Sequence, residues 1–241
     1  MIYVVGIGPG DSRMITPEAV SVIESCGAVA GYTKYIALIE GLVRGKTIYA
    51  SGMGGELERC RMCLEHVMNH GGDIALISSG DSGVYGMAGL MLEVASGSGV
   101  EVRIIPGITA ALSCAAILGA PLMNDYASIS LSDIMTGKDL IERRLIAACL
   151  GDFVICIYNP ASSKRLDNFT WACDILLQHK NPETPAGFVR NIARHGQQHA
   201  VMTLREIRCV RDIDMFCTVI IGNSQSYILD GKIITRRGYR V

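Results

Sequence analysis

The chain has 241 residues, 49% of them apolar and 27 of them glycine, with a formal net charge of −1. That length suits one large α/β domain or two small ones with separate cores. The near-neutral balance excludes a global field for nucleic acid or an anionic membrane, so an anionic substrate must be met by local Lys and Arg clusters. The first predicted element is a buried strand at residues 2–5. Thr16 then reads as an N-cap, with Pro17 at the first helical position and Gly27 just past the end. Further strands are predicted at 28–30, 73–78 and 100–105, with helices at 56–70 and 86–96. This alternation argues for parallel βαβ units.

Residues 104–123 carry no charge, which raises the question of a membrane span. Pro106, Gly107 and Pro121 interrupt them, and the one unbroken helical piece, 109–118, is half of the roughly 20 residues a span needs. The alternation continues with helices at 138–150 and 164–179, strands at 153–158, 186–190 and 215–221, and a hairpin strand at 199–204. The Pro106-Gly107 turn is the predicted boundary between two α/β domains, 1–108 and 109–241.

Five loops stand at the carboxyl ends of predicted strands, where open α/β sheets bind ligands. They are Gly6-Ile7-Gly8-Pro9-Gly10-Asp11, SSGDSGVYG from Ser78, PGITAA from Pro106, YNPASS from Tyr158 and RNIAR from Arg190. The first loop fails as a dinucleotide fingerprint. It lacks the third glycine of G-x-G-x-x-G, Pro9 removes an amide, and no acidic residue closes a second strand about 20 positions on.

GIGPGD, SSGDSGVYG and PGITAA, in that order and spacing, resemble the tetrapyrrole methyltransferase superfamily. GYTKY at 31–35, GAPL at 119–122, ISLSD at 129–133, IYNPASSKR at 157–165 and RRGY at 236–239 are similar to the members that methylate ring carbon 17 of precorrin-3B or cobalt-factor III and contract the macrocycle. The resemblance covers essentially the whole chain. It implies two α/β domains of non-Rossmann type with S-adenosylmethionine folded in the cleft between them. It also implies a cofactor pocket lined by Pro9, Gly80, Asp81, Val84, Thr109, Ala110, Tyr158 and Ile192. The substrate is then a small tetrapyrrole rich in carboxylates, the product includes S-adenosylhomocysteine, and the assembly is a homodimer, as relatives are.

For such a substrate Arg13, Lys34, Arg190 and Arg194 are the candidate cationic donors. Asp11 and Asp125 are the candidates to steer protons during alkylation and ring contraction. The chain departs from its relatives at Asn124, where they often carry His.

Cys60, Cys63, His66 and His70 suggest a metal motif. On one helix they span about 15 Å at about 1.5 Å per residue, too far to close around one ion, and Leu57, Cys60, Leu64 and Val67 form an apolar stripe there. No metal is expected. The nine cysteines, odd in number and set in apolar segments, read as buried thiols of a reducing cytosol. With no basic leader before MIYVVGIGPG, a cytoplasmic location is expected, with neither membrane nor nucleic-acid partner. Two other readings compete. One is a methyltransferase of the same superfamily acting on another precorrin carbon or on uroporphyrinogen. The other is a non-catalytic tetrapyrrole-binding protein.

Overall fold

The computed structural model describes residues 1–162 and 166–239. The chain divides into two compact units, Met1–Ala110 and Ala111–Val241.

The first unit holds β1 (Ile2–Gly6), α1 (Pro17–Ser25), β2 (Ala28–Tyr32), α2 (Thr33–Ala37), β3 (Thr47–Ser51), α3 (Glu56–His70), β4 (Ile74–Ser78), α4 (Ala88–Ala95) and β5 (Val102–Ile105). Its sheet runs β3-β2-β4-β1-β5, and every pairing is parallel. The central strands are apolar without interruption because helices cover both faces. Ile2, Val4, Ile74 and Leu76 pack with Cys60, Cys63 and Met91 on one side. Val5, Val29, Ala75 and Ile77 pack with Ala19, Ile23 and Ile36 on the other. The start of α1 follows its signals, with Thr16 Oγ1 accepting from the Ala19 amide at 3.2 Å and Pro17 opening the helix. Gly71 ends α3 in the left-handed conformation, at φ 71°.

The second unit holds α5 (Ala110–Leu118), whose first residue closes the first unit, then β6 (Gly119–Ala120), β7 (Tyr126–Ser130), α6 (Lys138–Leu150), β8 (Val154–Tyr158), α7 (Asn168–His179) and β9 (Pro185–Arg190). There follow β10 (Gln198–Thr203), α8 (Leu204–Ile207), β11 (Cys217–Ile221), β12 (Ser226–Leu229) and β13 (Lys232–Thr235). The main sheet runs β10-β9-β11-β8-β7, and a small one runs β12-β13-β6. Here the expected run of parallel units fails. In the main sheet only β7 and β8 pair in parallel, β11 lies antiparallel between β8 and β9, and β10 pairs antiparallel with β9 as the predicted hairpin strand. The connection from β9 to β10 is too short for the dozen or so residues of a crossover, so the chain turns back as a hairpin.

Ile129, Ile155, Ile157 and Val219 face Leu145, Phe169 and Leu176 in one core. On the opposite face α5 lies close enough that a side chain on Gly187 would sit 3.0 Å from Leu118. The expected helix 164–179 is described from Asn168; residues 163–165, the end of IYNPASSKR, and 240–241 lie outside the described residues.

Candidate functional site

In the first unit, three loops meet at the carboxyl edge of the sheet, after β1, β4 and β5. Gly8 and Gly80 form an isolated antiparallel bridge. Gly8 N donates to Gly80 O at 3.0 Å, and Gly80 N donates to Gly8 O at 2.7 Å. Both glycines are left-handed, with φ of 70° and 68°. Gly107 closes against the same spot. A Cβ on it would lie 2.2 Å from Gly80 O and 2.7 Å from Gly6 C. Glycine at 107 therefore serves the approach of backbone to backbone.

Asp81 fastens the second and third loops together. Its Oδ1 accepts from the Gly83 amide at 2.8 Å, and its Oδ2 from the Gly107 amide at 2.9 Å. Ser82 is fully buried, and its hydroxyl reaches the carbonyls of Val4 at 3.2 Å and Ile105 at 3.3 Å. Pro9 and Gly80 are buried, Thr109 and Ala110 are half-buried, and Val84 is exposed. These six expected cofactor residues share one edge of one sheet.

Asp11 and Arg13 are partners of each other. Arg13 Nη2 lies 2.6 Å from Asp11 Oδ2, and the Arg13 amide donates to Asp11 Oδ1 at 2.8 Å. The guanidinium and these bonds hold the Asp11 carboxyl down to about 2. At neutral pH Asp11 is thus a paired carboxylate, a poor proton carrier, and Arg13 already has its anion. Lys34 stands exposed on α2, directly after β2, at the same edge.

In the second unit, Tyr158 ends β8, and its hydroxyl accepts from the Ala111 amide at 2.7 Å in the first turn of α5. Beside it Asn159, at φ 49°, donates from Nδ2 to Ser130 Oγ at 3.0 Å. Leu131 N donates to Tyr158 O at 2.9 Å. Ile192 is buried and Arg194 half-buried in the loop after β9, where Asn191 and Ala193 have φ of 51° and 55°. Arg190 pairs with Asp214 at 2.6 Å, and its Nε is buried with no hydrogen-bond partner among the described residues.

Asp125 does not join this edge. It precedes β7, whose Tyr126 pairs with Val154, whereas Tyr158 pairs with Ser130 at the other end. Five residues at about 3.3 Å each separate the two ends, about 16 Å. Asp125, expected to steer protons, therefore stands at the opposite end of β7 from the Tyr158 edge.

The histidine–cysteine stretch of α3 is structural. Cys60 and Cys63 are buried in the core, which pushes their thiols up to about 11 and about 12. His66 Nδ1 lies 3.1 Å from the Tyr49 hydroxyl. The stripe includes Arg59 in place of Leu57, which is exposed. No helix among the described residues is long and apolar enough to cross a membrane.

β3 and the loop after it, Gly52-Met53-Gly54-Gly55, are not among the elements predicted above. This is a further glycine-rich loop at the carboxyl edge, held by the buried Arg59. The clustered glycines were the available signal.

Comparison with known proteins places the chain. Residues 1–208 match the family described as Tetrapyrrole (Corrin/Porphyrin) Methylases. A Salmonella typhimurium protein named probable cobalt-factor III C(17)-methyltransferase is 44% identical over 241 residues, 99% of each chain. A Priestia megaterium protein named cobalt-factor III methyltransferase is 41% identical over 99% of this chain and 45% of its own length. The crystal structure of the methyltransferase CobJ superposes with a TM-score of 0.91 at 33% identity, over 98% of this chain and 99% of that one. The chain is a methyltransferase and belongs to the tetrapyrrole (corrin/porphyrin) methylases.

Proposed function

We propose that the protein transfers a methyl group from S-adenosylmethionine to carbon 17 of cobalt-factor III or precorrin-3B, with ring contraction, in cobalamin biosynthesis. One observation carries this reading, the end-to-end likeness to a relative named for that reaction.

The cofactor supplies an electrophilic methyl on a sulfonium. The chain's task is to hold that group in line with the attacking carbon and keep water away. In this reading Pro9, Gly80, Asp81, Val84, Thr109, Ala110, Tyr158 and Ile192 are the residues that bind it. The Gly80 turn suits the group, because the nearest atom to where its side chain would stand is the Ala110 amide nitrogen at 3.7 Å, which leaves room for a ligand against Thr109 and Ala110. Asp81 uses one lone pair on each oxygen for the Gly83 and Gly107 amides, which leaves one on each for a ribose hydroxyl or the cofactor's amino group.

Lys34, Arg190 and Arg194 are the cations for the substrate's carboxylates, and Arg190 keeps one buried N–H in reserve. Arg13 and Arg190 each already pair with a carboxylate, Asp11 and Asp214, and each keeps further N–H groups for the substrate, while neither Asp11 nor Asp125 is given the proton transfer.

Titration calorimetry with S-adenosylhomocysteine tests the binding half, with a dissociation constant of about 1 μM expected, roughly −8 kcal/mol. No heat at millimolar ligand overturns it. Mass spectrometry tests the transfer, and the expected product carries one additional methyl group.

A further inference from the structure

In the first unit the loops assigned to the cofactor follow β4, β1 and β5, which are adjacent in the sheet. The other two strands, β2 and β3, end in loops on the same edge that the cofactor reading leaves unused. At about 4.8 Å per strand the whole edge is about 19 Å wide, so roughly half of it remains for a second ligand.

That half is built around a buried cation. Arg59 is 4% exposed, the only buried charged residue among those described. Its Nη1 donates to Ser51 Oγ and to Gly52 O, both at 2.8 Å, and its Nη2 lies 3.2 Å from Glu56 Oε1. The same Glu56 oxygen accepts from the Gly54 amide at 3.2 Å. One strand over, Thr33 Oγ1 donates to Ser51 O at 3.1 Å, which ties the helix that carries Lys34 to this loop.

Burying a guanidinium costs several kcal/mol unless it is paired and hydrogen-bonded. Here the pairing holds a loop that is not itself packed on its outer side. A Cβ on Gly52 or Gly54 would meet nothing within 4 Å, so the loop backbone faces open space. The arrangement makes rigid a segment whose glycines would otherwise leave it loose, and it does so beside an exposed lysine.

Resting on the reading above, we propose that Arg59 is a positioning residue for the tetrapyrrole. It holds the 51–55 loop and, through Ser51 and Thr33, the Lys34 helix as one rigid element that binds a substrate carboxylate. The carboxylate meets Lys34 and the bare loop backbone, and Arg59 touches neither the substrate nor the cofactor.

The test is equilibrium binding on the intact protein. Cobalt-factor III is titrated by its visible absorption, and S-adenosylhomocysteine by calorimetry. The variants are R59K, R59M, K34M and the double variant R59K/K34M. R59K cannot make both Nη1 bonds and the Glu56 contact together. We expect it to weaken tetrapyrrole binding about tenfold, the worth of one charge-assisted hydrogen bond, with S-adenosylhomocysteine binding unchanged within about twofold. R59M should weaken it further. Because Lys34 acts through the same element, the double variant should be no weaker than the worse single one. Unchanged tetrapyrrole binding in R59K and R59M, with only a lower melting temperature, makes Arg59 a structural pin and overturns the proposal. So do additive effects with K34M, or equal losses for both ligands. If R59M does not fold, R59K and the double variant decide. Binding is read apart from turnover, so a wild type that binds the ring without methylating it counts against the proposed reaction and not against Arg59.

Discussion

Gly8 and Gly80 bond to each other in both directions, N to O at 3.0 Å and 2.7 Å, across the ends of two neighbouring parallel strands. In an open α/β sheet the loops leaving such central strands commonly diverge and leave a crevice for a nucleotide. Here they are stitched together, and Gly107 of the next loop is pressed onto the joint. The failed dinucleotide fingerprint and the closed joint are two views of one feature.

Substitutions at this joint should separate binding from folding. A Cβ on Gly80 has room, since its nearest neighbour is the Ala110 amide nitrogen at 3.7 Å, but φ is +68°. Gly80→Val therefore costs about 1–2 kcal/mol of backbone strain, projects toward Thr109 and Ala110, and should abolish S-adenosylhomocysteine binding while the protein stays folded. Gly107→Ala meets Gly80 O at 2.2 Å and should destabilise by about 1–3 kcal/mol, roughly 2–4 °C in Tm for each of them. Paired calorimetry and thermal melts check both. Retained cofactor affinity in Gly80→Val would show that this loop does not contact the ligand.

Asp81→Ala removes the acceptor of two amides at once. Each charge-assisted bond is worth about 1.5–3 kcal/mol, so affinity for S-adenosylhomocysteine should fall at least about tenfold and Tm by several degrees. Asp81→Asn keeps one acceptor oxygen and should fall between. An alanine variant that binds and melts like wild type would remove the fastening role.

Asp11 gives a pH prediction of definite sign. Its folded-state carboxyl is depressed from 3.8 to about 2, chiefly by the hydrogen bond from Arg13. The stability it contributes is therefore present above about 4 and lost as pH falls through about 2. NMR titration of the Asp11 carboxyl checks the value. Asp11→Asn should leave the pH profile of turnover between 6 and 8 unmoved, and a displaced limb in that profile would restore a proton-transfer role.

Eight of the nine cysteines are buried, and burial pushes Cys26 and Cys60 up to about 11, and Cys63, Cys156 and Cys173 to about 12. Cys209 is exposed. A maleimide should add once to the native protein, at Cys209, and Cys209→Ser should accept none, as intact-mass measurement would read. A second fast adduct would mean that a buried thiol is reached through local opening.

Helices α3 and α6 were legible to the residue, because apolar spacing and terminal glycines act locally. The edge strands β3 and β7 were not. Thr47–Ser51 is largely exposed and Tyr126–Ser130 half polar, so neither shows the apolar run of a buried strand. Missing β7 hid the fact that Asp125 lies at its amino end. Strand direction is not written in composition, which is why β11 entered antiparallel unannounced. The glycine loops were legible because left-handed turns and backbone contacts demand that residue. The pairing of Asp11 with Arg13 depends on a one-turn helix at Ser12–Met14, too short to signal itself. Arg59 left a faint signal. It sits four residues before Cys63 on the buried face of α3, where an unpaired cation has no place.

The central claim is the position of methylation. Cofactor loops set only the methyl group; which carbon it meets depends on how the ring is seated, since a near-attack methyl lies about 3–3.5 Å from its target. The protein, cobalt-factor III and methyl-13C S-adenosylmethionine should give a product whose 13C NMR spectrum places the label on carbon 17 of a contracted ring. A label on another ring carbon, or on a ring that has not contracted, would contradict the account.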